Sequence, residues 1–175
     1  MMKRIYLSLL LLLPLWLLSA CVSIPDGVKP IDNFQLDRYV GKWYEIARLD
    51  HRFERNLEQV TASYSLNDDG SVRVLNRGFN TAKQQWQEVE GKAKFVDSPQ
   101  VGRLKVSFFG PFYGGYNIVE LDKNYQYALI VGNDRDYLWI LSRTPRLAAK
   151  TQAQLIQRAK ALGFATDKLI LVKQP

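Results

Sequence analysis

Between residues 41 and 143 hydrophobic and polar positions alternate with a period of two, in runs separated by turn-forming clusters. The runs are Gly41 to Asp50, Glu58 to Leu66, Ser71 to Phe79, Gln85 to Phe95, Arg103 to Phe108, Gly115 to Leu121, Tyr125 to Val131 and Tyr137 to Arg143. Asn67-Asp68-Asp69-Gly70, Asp97 to Gly102 and Asp122-Lys123-Asn124 are among the intervening turns. No helix of crossover length separates the runs, which predicts an antiparallel meander. The period then changes. Ala148, Leu155, Ile156, Ala159 and Leu162 recur at helical spacing, Gly163 is a natural stop, and Leu169 to Val172 reads as a short extra strand. The predicted fold is all-β, an eight-stranded antiparallel up-and-down barrel with one C-terminal α-helix packed outside. Closure removes the exposed edges that an open meander would carry.

The chain opens differently. Lys3 and Arg4 precede an almost wholly apolar stretch from Ile5 to Leu18, too short for the roughly twenty residues of a spanning helix and suited to a secretory signal. It ends in Leu18-Ser19-Ala20-Cys21, which resembles the processing box of bacterial lipoproteins. That resemblance implies a signal over residues 1–20, a diacylglycerol on the Cys21 thiol and an acyl group on its new amino terminus. Val22, not aspartate, follows the cysteine, which by the bacterial sorting rule implies transfer to the outer membrane of a Gram-negative cell. Residues 21–32 carry two prolines and one glycine and read as a lipid-anchored tether, with the domain spanning 33–175.

Composition narrows the chemistry. The chain has 175 residues, enough for one compact domain, with 47% hydrophobic and 23% charged positions. One cysteine excludes an internal disulfide framework and a multi-cysteine metal cluster, and one histidine excludes sites needing two. Neither Gly-x-Ser-x-Gly nor a phosphate-cradling glycine loop occurs, so no enzyme, cofactor or metal is expected. His51 has Asp50 and Glu54 near it in sequence, but there is no nucleophile to join them. Of the net +7, Lys3 and Arg4 belong to the signal, and the remaining cations are interspersed with acids, which argues against nucleic acid.

Three motifs carry a family resemblance. Gly41-Lys42-Trp43-Tyr44-Glu45-Ile46 opens the first strand, Asp122-Lys123-Asn124-Tyr125 lies between the sixth and seventh, and Arg143 ends the eighth. In this order, behind a lipoprotein signal, they resemble the lipocalins, and within them the bacterial outer-membrane lipocalins and their relative apolipoprotein D. The resemblance covers residues 33 to about 173; Leu121 departs from a threonine frequent in the family. It implies a structural barrel floor in which Arg143 covers Trp43, with Asn33 to Val40 plugging that end. Alternation from Trp43 places Glu45, Ala47 and Leu49 inside, and alternation from Arg143 adds Trp139 and Leu141.

Tyr64, Asn76 and Trp139 match cavity positions of apolipoprotein D and fall on inward parity; Val74, Leu104, Val106 and Phe108 complete the expected lining. The connections after the first, third, fifth and seventh strands form the mouth. Arg52 and Arg55 sit there as candidates for an anionic headgroup, beside the aromatic segment Phe108-Phe109-Gly110-Pro111-Phe112-Tyr113. The expected ligand is a single-chain lipid, a fatty acid or lysophospholipid. About ten buried methylenes at roughly 0.8 kcal/mol each supply some 8 kcal/mol relative to water. Two alternatives stay open: a structural envelope lipoprotein whose aromatic rim docks a partner protein, and a carrier of a haem- or bilin-like pigment. Oligomeric state is open between monomer and homodimer.

Overall fold

A computed structural model describes residues 22–175, so the leading segment and Cys21 lie outside the described residues. Eight strands form the meander: β1 (Gly41–Arg48), β2 (Leu57–Leu66), β3 (Val72–Asn80), β4 (Gln85–Phe95), β5 (Arg103–Ser107), β6 (Gly114–Leu121), β7 (Tyr127–Val131) and β8 (Leu138–Ser142). Each pairs antiparallel with the next, and β1 pairs with β8 as well as β2, which closes the barrel. A one-turn helix α1 (Leu36–Tyr39) precedes β1; helix α2 (Ala149–Ala161) and the two-residue strand β9 (Ile170–Leu171) follow β8. Strand and helix limits lie within two residues of those expected from the alternation.

Period two sorts the wall into two faces. Trp43, Tyr64, Val74, Ala93, Leu104 and Leu141 form an inner cluster. Ile46, Leu129, Val131, Leu138 and Ile140 face outward and are covered by Leu155 and Ala159 of α2, with Phe164 just beyond it. The barrel is therefore sandwiched on this side between its own interior and the helix, and β7 is buried on both faces.

One expected parity fails. The register of β1 against β8 slips between Glu45 and Ala47, and a bulge of this kind exchanges the faces of everything beyond it. Ala47 and Leu49, expected inside, join the outer cluster under α2. Arg48 takes the side that holds Glu45, and its Nη1 donates to Glu45 Oε1 at 2.8 Å.

The bulge accompanies a change of partner along β1. Its first half, Gly41 to Tyr44, pairs with β2, whereas Ala47 and Arg48 pair with β9. The C-terminal segment fills the seam thus opened: Val172 N donates to Ile46 O, and Gln59 N donates to Lys173 O. Gln174 Nε2 bridges Glu45 O at 2.7 Å and Val60 O at 2.9 Å, joining β1 to β2 where their own ladder ends.

Residues 22–32 run against the outside of the barrel. Val22 and Val28 are buried. Ile31 N donates to Ile118 O, and Gly102 N donates to Ile31 O. Phe34 and Tyr39 then enter the inner cluster from below, so the segment around α1 plugs the closed end as expected.

Candidate functional site

The floor is built on Gly41, Trp43 and Arg143. Gly41 has φ +98°, and a Cβ there would stand 3.3 Å from Arg143 Nη1, so glycine answers both the backbone angle and the close approach. Trp43 is fully buried and its Nε1 donates to Tyr39 O at 2.8 Å. The Arg143 guanidinium lies 4.0 Å from the Trp43 ring centroid and donates to the carbonyls of Arg38, Tyr39, Lys42 and Tyr125. Tyr125 also accepts from Gln35 N, and Arg38 lies over its ring at 4.2 Å. The three motifs thus meet at one end of the barrel and hold it shut.

Above the floor stands a feature that the sequence reading did not assemble. Tyr116 Oη lies 2.6 Å from Tyr39 Oη and 2.8 Å from Tyr64 Oη, a chain of three hydroxyls from the plug, β6 and β2. Burial pushes all three phenols above their ordinary range. They are neutral donors and acceptors, which is how polar atoms persist in an apolar interior. Inward parity on β6 carries the signal for Tyr116, but both faces of that strand hold large residues.

The expected lining residues come together. Tyr64, Val74 and Leu104 are buried in the inner cluster, and Val106, Phe108 and Trp139 pack partly buried against it. Asn76 lies one inward step above Val74, paired with Ala62, and its buried Oδ1 has no hydrogen-bond partner. Phe108 closes against β4, where a Cβ on Gly91 would come within 2.7 Å of its ring.

Toward the mouth the inner wall becomes charged. Glu54 Oε2 accepts from Trp139 Nε1 at 3.1 Å and lies 3.0 Å from His51 Nε2. Arg48 Nη2 donates to Glu54 O and Leu57 O, tying the β1–β2 connection down. Glu45, Arg48 and His51 are each more than nine-tenths buried. Burial, then the charge of Glu54, holds the Glu45 carboxyl well above the usual carboxylate range, against the pull of Arg48. Burial acts in the same sense on Glu54, but His51, Trp139 and Arg48 outweigh it and leave that carboxyl below its ordinary value. The bulge created this cluster by turning Arg48 inward, and alternation alone could not anticipate it.

Arg52 and Arg55 stand apart from it. Both are exposed on the rim; Arg55 pairs with Asp50 at 2.9 Å and Arg52 lies over the Phe53 ring. An open groove of about 760 Å³ runs along the outer wall from the Asn67-Asp68-Asp69 turn past Arg73, Glu90 and Lys92 to Gly110 and Tyr113 of the β5–β6 connection. Arg73 pairs with Glu90 and Lys92 with Asp69, so most of its charges are already matched.

A closed antiparallel barrel with a plugged floor, an apolar inner wall and a buried polar cluster at the other end has the architecture of the small β-barrels that enclose hydrophobic ligands. The chain belongs to the lipocalins: residues 34–174 match the family model of the lipocalin-like domain. It is 55% identical over 162 residues to outer membrane lipoprotein Blc of Citrobacter freundii, covering 91% of this chain and 92% of that one. Apolipoprotein D of Rattus norvegicus is 33% identical over 142 residues, 77% of this chain and 71% of the relative. Among solved structures, insecticyanin of the tobacco hornworm Manduca sexta shares the fold at a TM-score of 0.70 and 19% identity, with 88% of each chain covered.

Proposed function

We propose that the chain is an outer-membrane lipoprotein, held through diacylglycerol and acyl groups on Cys21, whose barrel stores or carries single-chain membrane lipids in envelope maintenance. The ligand is a fatty acid or a lysophospholipid, bound without covalent chemistry. The observation that carries this reading is the inner wall. Tyr64, Val74, Leu104, Val106 and Phe108 offer apolar and aromatic surface to an alkyl chain. Asn76 adds a buried polar atom with unspent hydrogen-bonding capacity. A tail with one polar end matches such a surface better than a wholly apolar or a highly charged molecule. The lipoprotein box and the naming of a 55%-identical relative as an outer membrane lipoprotein support the location.

Single-chain lipids fit for an energetic reason. A tail already in a bilayer gains little from a second apolar environment, so a carrier competes best for lipids that leave membranes readily. Native mass spectrometry of the chain from Val22 onward, titrated with a fatty acid and a lysophospholipid of equal chain length, tests the reading. One saturable lipid per barrel is the expected result. Absence of binding by both, with none co-purifying, overturns it.

A further inference from the structure

Among the described residues seven large hydrophobic side chains stand exposed, and the four aromatic ones all lie on or beside connections that follow odd-numbered strands, the end opposite the floor by strand order. Phe53 lies on the β1–β2 connection, Trp86 at the start of β4, and Phe109 and Phe112 on the β5–β6 connection. Phe109 and Phe112 are 69% and 79% exposed. Cations accompany the other two, Arg52 over Phe53 and Arg77 over Trp86. The closed end presents Asn67-Asp68-Asp69-Gly70 and Lys123-Asn124, with the aliphatic Leu66 exposed beside the first and no exposed aromatic ring among the described residues.

The described chain also begins at the aromatic end. Ser23 Oγ donates to Asn133 O on the β7–β8 connection, and Asn133 Oδ1 accepts from Gly115 N, just past the aromatic loop. Arg103 Nη2 donates to Val22 O, and Arg135 Nη2 donates to Asp26 O. Val22 is thereby held against the outer wall between Arg103 and Gly115, and Ser23 against the β7–β8 connection; Cys21 is the next residue in sequence.

We infer that the barrel stands mouth-down on a lipid bilayer, with Phe109 and Phe112 inserted at the interface and Phe53 and Trp86 resting at headgroup level. Aromatic rings beside cationic side chains suit that boundary, where one end of a group is apolar and the other wet. The anchor half of this inference rests on the reading of Cys21 as acylated; the aromatic half does not. The docking of Ser23 on the β7–β8 connection selects a membrane over a partner protein, because an anchor on Cys21, two residues earlier, brings the bilayer to this rim. Docked so, the cavity opens onto lipid, and a single-chain ligand passes between bilayer and barrel without crossing bulk water.

The test reconstitutes the acylated full chain in vesicles of phosphatidylethanolamine and phosphatidylglycerol at a ratio of about 3:1. Gly110→Cys on the β5–β6 connection, where a Cβ meets nothing within 4 Å, and Lys123→Cys, exposed at the closed end, each carry a fluorophore quenched by nitroxide lipids. Quenching several-fold stronger at 110 than at 123 is expected; equal or reversed quenching overturns the orientation. The mass of the mature chain reports acylation of Cys21 separately. In parallel, the unacylated chain from Val22 is floated with the same vesicles. The pair Phe109→Ser and Phe112→Ser should lower the bound fraction at least threefold while the affinity for a fatty acid titrated from solution, without vesicles, is unchanged. Flotation that is absent or unaffected overturns insertion, whatever the state of Cys21. A label at 110 that lipid leaves unquenched but intact envelopes protect overturns it in favour of a protein partner.

Discussion

Trp43 and Arg143 share one acceptor: the Tyr39 carbonyl takes the indole N–H at 2.8 Å and a guanidinium N–H at 3.0 Å, while the guanidinium covers the indole face. The first strand, the end of the eighth and the plug are thus joined at a single atom. Arg143 reaches three further carbonyls besides, so its loss orphans acceptors as well as removing a cation–π contact.

Arg143→Ala should therefore act on stability before affinity. Loss of about 2–4 kcal/mol is expected from the cation–π contact and the charge-assisted hydrogen bonds, discounted for partial exposure. In a domain of this size that lowers the melting temperature by roughly 5–15 °C. Thermal unfolding checks it, with lipid affinity measured well below the transition. A variant as stable as the parent but several-fold weaker in binding would move Arg143 from the floor to the cavity.

The floor and the strand plan were legible because they rest on local signals. Period two fixes the faces, Asn- and Gly-rich turns fix the ends, and Gly41, Trp43 and Arg143 are a motif whose members meet only if β1 and β8 are neighbours. The charged cluster at the mouth was not legible, since it depends on a one-residue slip opposite β8 that turns Arg48 in and Ala47 out. The same limit hid the hydroxyl chain: Tyr39, Tyr64 and Tyr116 come from segments that no spacing rule connects. Segment 22–32 read as a tether by composition alone, and its docking depends on backbone groups of Gly102 and Ile118 and side chains of Arg103 and Arg135, far along the chain.

The buried carboxylates predict an asymmetric response to pH. Glu45 ionises near 4.5 when unfolded and well above that when folded, because burial comes first and Glu54 adds to it. The folded state then binds more protons across that window, so this contribution to stability falls as pH rises through it. Glu54 has the opposite sign; its contribution is present above its ordinary value and lost as pH falls through the lowered one. Glu45→Gln keeps an acceptor for Arg48 and removes only the first effect. Melting curves of variant and parent should converge near pH 4 and separate by pH 8, the variant roughly 3 °C or more higher. Curves that stay parallel would show that Glu45 titrates as an ordinary carboxylate.

Trp139 tests the cavity. Its ring packs against the inner cluster and its Nε1 donates to Glu54, so it has a packing role and a polar role. Under the lipid-carrier reading, Trp139→Ala should weaken fatty-acid binding tenfold or more in a domain that stays folded. Trp139→Phe keeps most of the surface and should lose much less. Isothermal titration of both variants decides it: unchanged affinity in the alanine variant removes Trp139 from the pocket, and equal losses in both place its role in the Glu54 hydrogen bond.

The seam between β1 and β2 gives a last prediction, independent of any ligand. Where β1 leaves β2 for β9, Gln174 Nε2 bridges Glu45 O and Val60 O, and Arg48 Nη2 donates to Leu57 O further along. Gln174→Ala leaves two carbonyls without their side-chain partner, a cost of about 1–2 kcal/mol. Glu45 and Val60 are both buried, so water reaches these carbonyls poorly unless the seam opens. Amide hydrogen exchange should accelerate locally, at Gln59 and Val172, whose N–H groups hold the same seam, while the floor around Trp43 stays protected. Uniform acceleration across the barrel would show instead that the C-terminal segment stabilises the whole fold cooperatively and that no separate opening of the seam exists.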